Sequence, residues 1–459
     1  MRVLLVACYE LGHQPLQVAV PAAHLRARGH DVRAVDLSLE PWDPAAAAWA
    51  DRIAFSVPMH TATRLARAAI EALRATRPAV PVCCYGLYAS MAADVADCVV
   101  AGETTGALVE WVEGRVPAGA ALTELGREAA RAGAPLPARE LLPPIDRYAH
   151  LLVGDGCGCE QRLPVGYVEA SHGCAHRCRH CPVPVVYDGR IRIVDADAVL
   201  ADIAQQVDAG ARHITFGDPD FLNGVHHSLR VVRAMHERFP DVSFDCTVKV
   251  EHVLAHAEVW PELAEAGCRF VVSAFESVND EILDRLDKGH TAADAARAVA
   301  VLRTAGIEVR PSFMPFTPWT TGDDVRALLR FVAEHDLVEN VDPVQYTIRL
   351  LIPRGSLVLR LPEVAALVGP YDAVRGTYEW AAPDPALDAL HARLAELVEE
   401  HVALGTPIPE VYASVCAAAG APVPDPLPVM QGRPRLSEPW FCCAEPTAQQ
   451  ITLTTNAAR

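Results

Sequence analysis

Apolar and polar positions alternate along residues 1–115 in the manner of a layered α/β unit. Arg2–Val6 is a continuous apolar run of strand length, and Leu16–Arg28 has helical periodicity closed by Gly29. Asp31–Val35, Arg52–Ser56, Val80–Tyr85 and Cys98–Val100 read as further strands, and Thr61–Arg77 as a helix stopped by Pro78. Short strands separated by helical patterns predict βαβ crossovers and a doubly wound, Rossmann-like sheet. Ligands of such sheets bind at the carboxyl ends of the strands. That singles out the loops Cys8–His13, Ser56–Thr61, Gly86–Ser90 and Gly102–Gly106.

The rhythm is lost over 116–163, where Ala, Pro and Gly dominate; this stretch reads as a linker with one helix, Ala120–Ala132. From 164 it resumes. Gly166–Ser171, His213–Phe216, Val242–Val248, Phe270–Ala274, Glu308–Met314 and Val341–Leu350 are predicted strands. Helical patterns lie between them, including Asp195–Ala209, Ser228–Phe239, Ala292–Ala305 and Asp323–His335. Six strand–helix units over 164–352 fit a partial (β/α)6 barrel. The remainder, 353–459, reads as a helical extension (Asp384–Leu404, Pro409–Ala419) followed by the Pro-rich run Pro422–Pro439 and the segment Trp440–Pro446.

Composition narrows the function classes. A net charge of −18 argues against a nucleic-acid backbone as the main partner, which calls for basic stripes. No apolar run has the length of a membrane helix, and the N-terminus lacks the pattern of a secretory signal, so a cytoplasmic location is expected. In a reducing compartment, clustered cysteines are metal ligands or redox thiols and not a disulfide framework. Three clusters stand out among 14 cysteines: Cys157/Cys159, Cys174/Cys178/Cys181 and Cys442/Cys443. Cys98, Cys246, Cys268 and Cys416 are scattered and read as small buried apolar residues.

The segment Gly173–Pro182, GCAHRCRHCP, carries the strongest chemistry. Its CxxxCxxC spacing directly follows the first predicted barrel strand. Three thiolates on one loop suit three corners of an iron–sulfur cubane. The fourth iron is then open to chelate S-adenosylmethionine (SAM), so that one electron cleaves a carbon–sulfur bond. A zinc site is the competing reading, with His172, His176 or His180 as a further ligand.

These residues resemble the radical SAM superfamily. The resemblance spans Gly166 to about Leu351 and implies a 4Fe-4S cluster on Cys174, Cys178 and Cys181. Phe216–Phe221 (FGDPDF) is similar to the segment that holds the methionine amino group, which implicates Gly217 and Asp218. Ser273–Ser277 (SAFES) resembles the fourth-strand motif, with Glu276 as a cofactor contact. Arg310 is the matching candidate for the SAM carboxylate, and Lys249 is either a base in the site or a rim residue. One departure is His180, where the family usually has an aromatic residue.

The domain order, the turns Gly86–Ser90 and Gly102–Glu103, and the stretch Leu141–Tyr148 resemble the cobalamin-binding subclass. This implies a corrin between the domains, near Ser56, Gly86 and Gly102. The Asp-x-His-x-x-Gly pattern that places an imidazole below the cobalt is missing; Tyr9–His13 stands there instead. The tail FCCAEP further resembles radical SAM proteins named for a CUAEP or CCAEP ending, which implies reactive thiols at Cys442 and Cys443. Together these resemblances imply a transferase acting on a small molecule, fed by an external electron donor of flavodoxin or ferredoxin type. The alternatives are a soft heteroatom substrate (arsenic or selenium) held by the cysteine pair, and an iron–sulfur redox sensor without turnover.

Overall fold

The computed structural model describes residues 1–124, 133–154 and 160–438. Six parallel strands form the first sheet: β1 (Arg2–Ala7), β2 (Asp31–Asp36), β3 (Arg52–Ser56), β4 (Val82–Tyr85), β5 (Cys98–Gly102) and β6 (Ala120–Glu124). Their spatial order is β2-β1-β3-β4-β5-β6. Val3–Val6, Ile53–Phe55 and Val82–Tyr85 are fully buried because crossover helices cover both faces. The order reverses between β1 and β3, which opens a crevice at their carboxyl ends. The helix His60–Thr76 starts at that crevice and buries Leu65, Ala69, Ile70 and Leu73 along one stripe.

β6 corrects the expectation of a helix at Ala120–Ala132. Ala120–Glu124 extends the sheet by pairing in parallel with β5 from Cys98↔Ala120 to Gly102↔Glu124; residues 125–132 lie outside the described residues. An open sheet edge outweighed the helical leaning of an Ala-rich segment.

The second sheet has seven strands in the order β14-β13-β12-β11-β8-β7-β17. β8 (Glu160–Val168), β11 (His213–Phe216), β12 (Ser243–Thr247), β13 (Cys268–Glu276) and β14 (Glu308–Phe313) run parallel. β7 (His150–Gly154) and β17 (Arg435–Leu436) complete one edge as antiparallel strands. A small hairpin of β9 (Ser171–Gly173) and β10 (Ile191–Ile193) flanks the cysteine loop, and another, β15 (Tyr371–Asp372) with β16 (Thr377–Tyr378), lies in the C-terminal region. The helices Pro385–Ala403 and Ile408–Ala419 pack on the barrel core through Leu387, Leu394 and Val415. No helix among the described residues is long and apolar enough to cross a membrane.

The segment expected as the sixth barrel strand, Val341–Leu350, forms only one parallel bridge, Phe316↔Arg349. Pro343 opens a short 3-10 turn there. Side chains satisfy the free edge of β14 instead: Phe313 N donates to Gln345 Oε1 (3.1 Å), and Asn340 Nδ2 donates to Val309 O (2.8 Å).

The connector 133–149 ties the sheets together. The buried Arg139 guanidinium donates through Nε and NH2 to Asp202 (2.7 Å each), to Tyr167 O (2.7 Å) and to Gln14 Oε1 (3.1 Å). Tyr148 Oη donates to Asp36 (2.9 Å), and Ala149 N to Gly12 O (2.8 Å). Removing one partner of a buried ion pair leaves the other charge uncompensated, at about 3–5 kcal/mol. Arg139→Met is therefore expected to lower the free energy of unfolding by that order, read as a fall in the urea midpoint. Arg139→Met with Asp202→Leu should recover part of the loss; equal loss in both variants would rule the ion pair out as the cause.

Candidate active site

The carboxyl ends of both parallel sheets meet in an open cleft of about 1130 Å³. From the first sheet it is lined by Glu10, Pro58, Gly86, Gly102 and Glu103, and from the second by Tyr167, Glu169, His172 and Gly217. Gly86 sits at φ +128, where a Cβ would come within 2.7 Å of Val57 O, so the turn requires glycine. Ser56 is buried beside Tyr85, below the part of the cleft that begins at Pro58.

A charged seam crosses this cleft. His172, on β9, places Nδ1 3.0 Å from Glu103 of the first domain and Nε2 3.1 Å from Glu169. Tyr187 Oη donates to Glu103 (3.0 Å) and Tyr167 Oη to Glu169 (3.0 Å). Although burial opposes it, the two carboxylates raise the His172 pKa well above its ordinary value. Glu10 is pushed well upward by burial and by Glu169.

The cysteine loop runs from β9 to the short helix Val183–Tyr187. Cys178 is buried, and Cys174 and Cys181 are partly exposed. Burial raises the Cys174 thiol, against hydrogen bonds from Asn223 and the His176 backbone that lower it. Behind the loop, Glu276 ends β13 at φ +61, after an irregularity in the ladder between Ala274 and Glu276. It is buried and accepts from His180 Nε2 (3.1 Å) and Lys288 Nζ (3.3 Å). Although desolvation opposes it, the Lys288 and His180 charges hold the Glu276 carboxyl down to about 2. Cys178 and Cys181 also interact electrostatically with Lys288. The departure at His180 thus has a local purpose: an imidazole reaches a carboxylate where a phenyl ring would not.

Asp218 accepts from Ala170 N (2.9 Å) and Ser171 Oγ (2.6 Å), tying the loop after β11 to the strand that leads into the cysteines. Burial raises its carboxyl to about 7. At Gly217 a Cβ would lie 1.9 Å from Tyr167 Oη, so any side chain there would displace the Tyr167 ring.

A second, smaller cavity lies inside the barrel. It is lined by His13, Thr215, Asp245, Arg310, Gln345 and Glu438, among others. Arg310 donates to Asp342 (2.8 Å) there, so its guanidinium already has an acidic partner. Burial lowers the His13 pKa to about 4. Glu438 accepts from Tyr9 Oη (2.6 Å), which brings the end of the described chain to this cavity. Leu11, Tyr167 and Gly217 line both cavities. Cys157, Cys159, Cys442 and Cys443 lie outside the described residues. Asp245 and Glu438 escaped sequence reasoning, since no local motif marks them, whereas His13 ends a loop that the strand pattern had singled out.

Residues 168–332 match the Radical SAM superfamily, and residues 2–112 match the B12 binding domain. The chain thus carries a radical SAM domain and a B12-binding domain. Among curated relatives, an uncharacterized methyltransferase of Pyrococcus horikoshii is 26% identical over 224 residues, 49% of this chain and 45% of the relative. A ribosomal protein uS12 methylthiotransferase, RimO, of Heliobacterium modesticaldum is 24% identical over 209 residues, 43% of this chain and 44% of the relative. The chain thus spans less than half the length of these curated relatives.

Two solved structures share the fold. The cobalamin-dependent S-adenosylmethionine radical enzyme OxsB, with aqua-cobalamin and S-adenosylmethionine bound, superposes with a TM-score of 0.66 at 14% identity, over 87% of this chain and 67% of that one. The radical S-adenosylmethionine methyltransferase TsrM from Kitasatospora setae, with tryptophan substrate and a SAM analogue bound, gives 0.59 at 18% identity, over 86% and 88%.

The cofactors of these domains are a 4Fe-4S cluster, SAM and cobalamin. The residues present fit them. Three thiols share one loop beside a buried ammonium, and the corrin-domain crevice ends in a glycine turn that admits no Cβ. Glu276→Gln would leave Lys288 short of its counter-charge, with an expected loss of about 3 kcal/mol or more. A double-mutant cycle with Lys288→Met, read by urea unfolding at neutral pH, should show coupling of at least 1 kcal/mol. Additivity would show that the pair contributes no mutual stabilisation.

Proposed function

We propose that the chain is a cobalamin-dependent radical SAM transferase that moves a methyl or other SAM-derived group to a small molecule. The observation that carries this reading is the shared wall. Leu11, Tyr167 and Gly217 border both the interdomain cleft and the barrel cavity, so a corrin held in the first would adjoin a substrate held in the second.

When bound, the cluster supplies an electron for reductive cleavage of SAM, and the corrin supplies a metal centre able to carry a methyl group. The protein's part is positioning. Cys174, Cys178 and Cys181 would ligate three irons. Gly217 and Asp218 would line the SAM methionine, with Glu276 as a further SAM contact. Arg310, held by Asp342, would present a fixed positive edge to the barrel cavity. Ser56, Gly86 and Gly102 would border the corrin. Glu103, His172 and Glu169 hold the cleft at a set width, because the imidazole bonds a carboxylate on each side. The electron would come from an external donor of flavodoxin or ferredoxin type.

Anaerobic reconstitution with dithionite and SAM tests this. Wild type should release 5′-deoxyadenosine or S-adenosylhomocysteine and retain cobalamin after desalting. Cys178→Ala should lose cluster iron and all SAM cleavage while still retaining cobalamin. Gly86→Val should lose cobalamin but keep the cluster. An intact cluster with no SAM product of any kind would overturn the transferase reading in favour of a sensor.

A second reading concerns the tail and rests on a separate observation. Leu436 and Glu438 line the barrel cavity, and Cys442 follows four residues later. We infer that Cys442 and Cys443 act on the substrate, as a grip for a soft atom such as arsenic or selenium or as a nucleophile. Cys442→Ala with Cys443→Ala is expected to abolish product formation with cluster content unchanged; an unchanged yield would remove the thiols from the mechanism.

A further inference from the structure

His176 stands between the first two cluster cysteines and has surroundings of its own. Its Nε2 lies 3.6 Å from Asp220 Oδ2, and the same oxygen lies 2.8 Å from Nδ1 of His252. The donor atoms of the three residues all fall within 4.8 Å of one another. They come from three separate segments: the cysteine loop, the loop after β11, and the helix Val250–Ala255.

Asp220 is 1% exposed. Its Oδ1 accepts from Leu222 N at 3.1 Å and so caps the next turn. Its Oδ2, like His176 Nε2 and His252 Nδ1, is buried without a hydrogen bond of acceptable geometry. These three buried atoms have only one another as partners, with a single carboxylate oxygen facing two imidazoles, and a shared cation would offset the desolvation they carry.

We propose that His176, Asp220 and His252 bind a divalent ion of the zinc class, at a site separate from the three-cysteine cluster. Two imidazoles and one carboxylate are a donor set that zinc accepts, with a fourth position left for water. The surrounding residues suit this assignment. A metal on Nε2 requires the proton of His176 to sit on Nδ1, and a nearby carboxylate normally accepts it. Glu251 Oε2 is 3.7 Å from that Nδ1. Lys249 Nζ now contacts Nδ1 at 3.1 Å and also pairs with Glu251 at 3.1 Å, so it can keep Glu251 as its counter-ion when the imidazole turns to the carboxylate. The ion would pin the cysteine loop to two strand-end segments. This assignment does not depend on the transferase reading.

Cluster-loaded wild-type protein, treated anaerobically with zinc and desalted, is expected to retain one equivalent of zinc with no loss of iron. Its zinc-edge X-ray absorption should show nitrogen and oxygen ligands at about 2.0 Å and no sulfur near 2.3 Å. His252→Ala, and His252→Gln as a size-preserving second variant, should lose that equivalent while iron and sulfide content stay at the wild-type level. Three results would overturn the site: no zinc retained by wild type, equal retention in both His252 variants, or a sulfur shell showing that cysteines hold the ion.

Discussion

The meeting of the two sheets rests first on one buried cation, Arg139. Taking a guanidinium and a carboxylate out of water costs several kcal/mol per ion, offset only when their hydrogen bonds are close to saturated. Arg139 meets that condition with Asp202, Tyr167 O and Gln14. Gln14 precedes the first helix of the corrin-type domain, Tyr167 is on β8, and Asp202 lies in the helix Ala196–Asp208 that follows β10. One planar group thereby ties two sheets together, assisted by Tyr148 on Asp36 and Ala149 N on Gly12 O. The composition of the connector fits this task. Pro135, Pro137, Pro143 and Pro144 remove backbone donors that would otherwise need partners in a tight interdomain passage.

With the sheets so placed, their carboxyl ends face each other, and the cleft follows from topology. What gives it chemical character is the pairing across it. Glu103 belongs to one domain and His172 to the other, and His172 lies two residues before Cys174. The rim of the B12-binding domain is therefore bonded to the strand that launches the cluster loop. A shift of one domain would pull on the other through a charge-assisted contact, which is stronger and more directional than apolar packing.

The first five strands were legible because parallel strands covered on both faces leave continuous apolar runs such as Val3–Val6. The cysteine loop was legible because its spacing is local. Ala120–Glu124 was not, since its residues favour a helix and only the vacant edge of β5 makes it a strand. The stretch after Pro343 misled in the opposite direction. Its β-branched and aromatic residues suit a strand, but Gln345 and Asn340 satisfy the edge of β14 through their side chains. The paired charges were illegible for a different reason. Glu103 and His172 are 69 residues apart, and His180 and Glu276 are 96 apart. A single sequence records no such distance.

The two lysines sharpen the physical picture of the cluster site. Every other basic side chain of fixed charge in the chain is arginine, and Lys249 and Lys288 are both buried around the cysteine loop. Arginine brings a flat fork suited to carboxylates at surfaces and interfaces, whereas lysine brings a compact charge with three rotatable donors. Lys288 serves Glu276 and bears on two cluster thiols at once, and Lys249 serves Glu251 and His176. Each ammonium answers groups arriving from different directions, a geometry that a planar guanidinium fills poorly. Glu276 sits there in a left-handed backbone conformation that costs a non-glycine residue on the order of 1 kcal/mol or more. Its side chain pairs with Lys288 and His180 while its carbonyl oxygen accepts from Met314 N (2.8 Å), so side-chain charge and main chain together hold the strained residue in place.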